Sequence, residues 1–257
     1  MTTATTAAPT IATLPNQVTA TARLQAVLRL IVRGLTPMLG GYWVVMVLTF
    51  AVAGTVVKIV TGGDTSIWDY GTQSPKYFSA AVGITFVPAF FGLLIAHGVT
   101  RRMVAVAAAI FFTGAAACTA VLWVLMYQLE HVVYSWQDWS QTLPNAHLFS
   151  RPTQSGLVFT EFFLLVIAHE AAGWLIGICF YRFGVWKGIL LLPLCILPAV
   201  TAELVLAAQW FANEIAGTGY QRPPLAIGAP LVLVVSALGL WAGYLLIRSL
   251  GLKPAKG

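Results

Sequence analysis

Residues 93–112 read LLIAHGVTRRMVAVAAAIFF. An apolar run ends at Ala96, six residues follow (His97-Gly98-Val99-Thr100-Arg101-Arg102), and an alanine-rich apolar run begins at Met103. Both runs extend far enough to cross a bilayer, which takes roughly 20 apolar residues. Hydropathy alone does not separate them, but the two arginines do. Each would cost on the order of 3 kcal/mol at the bilayer centre. The stretch therefore reads as two antiparallel membrane helices joined by a tight basic hairpin.

Working outward, the same logic orders the whole chain. It is 59% hydrophobic and only 9% charged, against about 25% charged for a soluble domain, so a membrane bundle fills it. Ten of the fourteen Lys/Arg fall in four places: Arg23, Arg29 and Arg33; Arg101 and Arg102; Arg182 and Lys187; Arg248, Lys253 and Lys256. None of these places holds an Asp or Glu. Five of the eight acids (Asp64, Asp69, Glu130, Asp138, Glu214) lie in the segments between. This is the positive-inside pattern. It predicts an all-α, polytopic membrane bundle of six transmembrane helices near 38–61, 77–98, 103–129, 157–181, 188–210 and 227–247. Both termini are then inside, and residues 62–76, 130–156 and 211–226 are outside.

The expected domains are a disordered Thr/Ala/Pro-rich tail (1–17), an amphipathic interfacial helix (18–36), the six-helix domain (37–248) and a short basic cytoplasmic tail (249–257). In the second of these, Leu24, Val27, Leu28, Ile31 and Leu35 recur at helical spacing with Arg23, Arg29 and Arg33 off the stripe, a pattern that favours the membrane interface. Gly34 and Pro37 mark a break before the first span. The alternative is a basic flank that only sets topology. The outer segment 62–76 reads as a polar loop. In 130–156, Tyr134, Trp136 and Trp139 suit interfacial anchors. Residues 210–215 suit a short re-entrant or interfacial helix.

Small residues recur at four-residue spacing, at Gly173 and Gly177, at Gly239 and Gly243, and more weakly at Ala105 and Ala109. This spacing permits close helix packing, either within one chain or at a dimer seam. Packing within the chain is the favoured reading. The intramembrane ionisable residues Glu161, His169, Glu170 and Glu203 are candidates for a polar path for substrate or proton; the alternative is hydrogen bonding between helices. Glu161 sits near the outer end of its span, where it can simply reach the interface.

Several chemistries are absent from the sequence. Cys118, Cys179 and Cys195 fall in apolar runs without ligand spacing. No two histidines stand at i,i+3 or i,i+4, and no HExxH occurs, so no metal site is predicted. No P-loop and no nucleophile–base spacing is present, so no catalytic residue is expected. The net charge of +6 is spread loop by loop, which speaks against nucleic acid.

The HGVTRR turn (97–102) opening into MVAVAAAIFFTGAAA, and the stretch GICFYRFGVWKG (177–188), resemble the cytoplasmic turns of the permease subunits of ABC-2-type ABC exporters. The six-span plan with a preceding amphipathic helix is similar too. The outer loop 130–156 is longer than in a minimal member. The resemblance implies a permease dimer (homodimer or related heterodimer) in the cytoplasmic membrane, without catalytic residues or a cofactor of its own. A separate ATPase subunit would bind ATP and Mg. Gly98, Val99, Thr100, Arg101 and Arg102, together with Arg23, Arg29 and Arg33, would couple to that subunit. The apolar lining suits an amphiphilic or lipid-like molecule, a peptide or a drug. Two rivals come from other classes. One is a redox or metal-enzyme membrane subunit using Glu161, His169 and Glu170. The other is a proton-coupled secondary transporter using Glu170 or Glu203.

Overall fold

The computed structural model describes residues 19–62 and 64–251. The expected tail 1–17 and most of the basic tail (252–257) lie outside the described residues. The first helix, α1 (Ala20–Thr61), starts where Thr19 Oγ1 accepts from Ala22 N–H. It stops at Gly62, whose left-handed φ of 63° lets its N–H reach back to Lys58 O. The break expected at Gly34 and Pro37 does not occur, and the helix runs through both. Pro37 has no N–H to give to Arg33 O, and the helix continues past that one missing bond, as membrane helices tolerate. Forty-two residues make a helix about 63 Å long, twice the hydrocarbon thickness of a bilayer.

The segment expected as an outer loop at 62–76 is partly helical. A 3-10 turn (Trp68–Gly71) leads into α2 (Gln73–Phe86), a π turn (Val87–Phe91) around Pro88, and α3 (Gly92–Ala96). Proline's missing N–H accounts for the widened turn. Gly98 then adopts φ 75°, and Thr100 caps α4 (Arg101–Trp136) by accepting from Met103 N–H. α4 continues seven residues into the segment assigned outside at 130–156.

α5 (Ser155–Cys195) and α6 (Leu197–Leu206) form a 52-residue apolar segment, too long for one crossing. At Gly184 the backbone leaves the helix (φ 77°, ψ −176°), a conformation open only to glycine. The chain reverses there. Cys179 and Cys195 Sγ meet at 3.4 Å, where an unbroken helix would hold them about 24 Å apart. The short α7 (Gln209–Ile215) matches the expected helix at 210–215, and α8 (Leu225–Arg248) closes the chain. Among the described residues there is no strand, only two isolated bridges, Thr65 with Thr142 and Ala146 with Gln209.

By length and composition, five helical segments are able to cross a membrane: 20–60, 68–96, 101–136, 155–206 and 225–248. The chain is a helical, multi-pass membrane protein. Its central post is the first limb of α5, buried on every side from Leu164 to Leu175. α2 lies almost backbone to backbone on it. A Cβ on Gly83 would sit 2.6 Å from Glu170 O, and one on Gly173 or Gly177 would overlap Ala80 O or Ile84 O. Gly239 and Gly243 face Pro198 and the Trp174 indole. All four spaced glycines thus serve packing inside the chain.

Candidate functional site

A seam of buried polar residues runs between α2, α5 and α6, closed on the acidic side by the loop 137–154. At the loop end His147 is wedged between two carboxylates. Its Nε2 lies 2.5 Å from Asp69 Oδ1 and its Nδ1 2.8 Å from Glu161 Oε1, with all three side chains fully buried. Asp69 also accepts from Tyr127 Oη (3.1 Å), Asn145 N (2.9 Å) and Asn145 Nδ2 (2.8 Å). Glu161 accepts from Leu148 N (2.8 Å) and Gln209 Nε2 (3.1 Å). Burial pushes the His147 imidazole toward neutrality, but Glu161 and Asp69 outweigh it and hold its pKa up to about 9. Both ring nitrogens therefore donate. The two carboxylates lie on opposite edges of the ring and do not converge on a common point, and no metal-ligand cluster exists among the described residues.

Deeper in the seam, Lys76 of α2 reaches Glu203 of α6 at 2.5 Å. Proline and helix geometry place Gln73, Lys76 and Tyr77 on one face of α2. His169 Nε2 stands 3.5 Å from the same Glu203 oxygen, and its Nδ1 contacts Leu165 O at 2.7 Å. Four buried polar atoms along this line have no hydrogen-bond partner: both amide atoms of Gln73, Glu203 Oε2 and Glu170 Oε2. Buried polar groups are nearly always satisfied, so these atoms point to water or solute in the seam.

The four residues singled out in the sequence divide accordingly. Glu161 is fully buried beneath the loop 137–154. His169 and Glu203 come together around Lys76. Glu170, a third of a turn from His169, has no partner for Oε2. Asp69, Lys76, Tyr127, His147 and Gln209 complete the seam and were not legible in the sequence. Their partners lie up to 127 residues away, and Lys76 reads there as part of a polar loop. A separate knot on the same side binds Glu130 to Ser66 Oγ (2.5 Å), Ile67 N (2.6 Å) and Gln141 Nε2 (2.7 Å). An open cavity of about 530 Å³ lies over the His147 cluster, lined by Asn145, Ala207, Tyr220 and Arg222 among others. Ala207 (φ 39°) and Gln209 (φ 60°) bend the chain between α6 and α7 at its edge. Such strained positions persist only where the surroundings fix them, here through Gln209 N to Ala146 O and Gln209 Nε2 to Glu161.

At the basic end the expected coupling residues also divide. Arg101 donates from Nε and Nη2 to Leu250 O (3.3 and 2.8 Å), and Arg182, which is outside that set, donates to Leu246 O and Ser249 Oγ. Both satisfy the carbonyl end of α8. Arg23, Arg29, Arg33 and Arg102 are exposed, as are Gly98 and Thr100. Val99 packs on a core shared by Val27, Ile31, Leu35, Leu94, Val104 and Leu250. Comparison with protein-family models, with characterised proteins and with solved structures found no match to this chain.

Proposed function

We propose that this chain is the permease subunit of an ATP-driven exporter of the ABC-2 type, in the cytoplasmic membrane. It crosses six times, counting the reversal at Gly184 as a hairpin between two crossings, with both ends on the basic side. It works as a dimer, with itself or with a related permease, and a separate ATPase chain supplies ATP hydrolysis.

One observation carries this reading. Arg23, Arg29, Arg33 and Arg102 are exposed at the same end of the bundle, and the elements that bear them share one apolar core. The stripe Val27, Ile31 and Leu35 packs with Leu94 and Val104, which flank the 97–100 turn. A push on that turn or on the start of α1 passes into packed side chains and not into a slack loop. Exposed arginines suit acidic side chains of a docking partner. The chain has no P-loop, so such a partner would bring the nucleotide.

The test is a mild-detergent pull-down of the tagged protein from its native membranes, with co-purifying chains identified by mass spectrometry. A P-loop chain should co-purify and be lost when Arg29 and Arg102 are both changed to Glu. Recovery of no ATPase chain would overturn the reading.

The Lys76–Glu203 pair favours a second reading, a secondary transporter driven by protons. Ionisable groups inside membrane helices commonly mark proton relays. That version predicts proton flux into liposomes holding this chain alone, abolished by Glu203→Gln. The exporter predicts no such flux.

A further inference from the structure

The lipid-facing side of the bundle carries a groove between α4 and α8, of about 340 Å³, at the basic end. Ala105, Ala108 and Ala109 form one wall, Ala237, Leu240 and Trp241 the other, and Trp174 the floor. Arg102 and Tyr244 stand at its mouth. We infer that this groove binds an anionic phospholipid of the inner leaflet, one acyl chain lying along the alanines and the phosphate meeting Arg102.

Three observations support that occupant. Arg102 is exposed and has no hydrogen-bond or ion-pair partner among the described residues, whereas its neighbour Arg101 is spent on Leu250 O. α8 contains no Asp or Glu, and α4 contains only Glu130, seven turns or more from Arg102. An anion at the mouth therefore meets a cation and no opposing charge. Alanines on the α4 wall leave the groove open, and it runs about 10 Å from Arg102 to Ala109, the length of a partial acyl chain. Basic pockets between membrane helices on the cytoplasmic side recur as sites for acidic head groups.

The inference shares Arg102 with the exporter reading but does not rest on it, and the two are told apart because lipid retention is measured on this chain purified without an ATPase. It is tested by native mass spectrometry of the purified full chain with added phosphatidylglycerol or phosphatidylcholine. Phosphatidylglycerol adducts should survive collisional activation better than phosphatidylcholine adducts. Arg102→Gln should weaken phosphatidylglycerol retention by about fivefold, the worth of one basic side chain near a charged head group. Ala109→Leu fills the open groove without entering the core and should reduce retention of the same lipid while leaving Arg102 in place. Equal retention of both lipids, or retention unchanged in both variants, would overturn the site. So would inorganic phosphate competing fully for the adduct, or a dimer that forms through the groove irrespective of lipid.

Discussion

The Sγ atoms of Cys179 and Cys195 lie 3.4 Å apart although sixteen positions separate them in the chain. The contact exists because Gly184 reverses the helix, and it makes the reversal measurable. Copper phenanthroline should cross-link the two thiols within one chain, lowering the alkylatable thiols from three to one in mass spectrometry. Cys195→Ser should leave the remaining two thiols free. Three reactive thiols after oxidation of the intact chain would mean that 155–206 is not a hairpin.

His147 makes stability depend on pH. Its pKa is raised from 6.5 to about 9 in the folded chain. A raised pKa stabilises fully below the unfolded value and loses that contribution as pH rises through the folded one. The shift corresponds to something on the order of 3 kcal/mol. Thermal midpoints in detergent should fall between about pH 6.5 and pH 9. His147→Ala should lower the midpoint at pH 6.5 and flatten the slope, because Asp69 and Glu161 then lose the cation between them. An unchanged slope in that variant would show that another group titrates.

The bundle and the cluster differ in how far the sequence reveals them. Apolar run length and the charge alternation announce the helices, because burial in lipid constrains every residue of a span. The hairpin at 97–102 was legible for the same reason, and so was a short helix at 210–215. The continuity of α1 through Gly34 and Pro37 was not, since a proline removes one intrahelical hydrogen bond without necessarily ending a membrane helix. The loop at 62–76 was misassigned because GTQSPK looks polar, although Lys76 is buried once α6 brings Glu203 to it. A lone histidine in a loop, such as His147, carries no spacing signal. Its partners Asp69 and Glu161 come from other elements, and only the tertiary fold joins them.

Lys76 and Glu203 form a buried pair whose members depend on each other. Lys76→Met alone leaves Glu203 without its cation and should destabilise by about 3–5 kcal/mol. Lys76→Met combined with Glu203→Leu should recover most of that loss, since two apolar residues suit an apolar helix contact. Denaturation midpoints of the four proteins form a double-mutant cycle. Additive losses would mean that the two side chains do not interact in the folded protein.

Gly173 and Gly114 make a paired test of how α2 meets α5. A Cβ at Gly173 would overlap Ala80 O, and backbone cannot rotate away as a side chain can. α2 would have to lift off the central post, disturbing the neighbouring Gly83 and Gly177 contacts along the same line. Gly173→Ala should therefore cost at least the 1–3 kcal/mol or so typical of overpacking. Gly114 lies in the interior of α4 with nothing within 4 Å of its Cβ position. There alanine meets no clash and restricts the unfolded chain, so Gly114→Ala should be neutral or stabilise by up to about 1 kcal/mol. Thermal melts of the two variants side by side decide the matter. Equal midpoints would mean that α2 and α5 do not approach through Gly173, and the seam that holds Lys76 against Glu203 would lose its geometric basis.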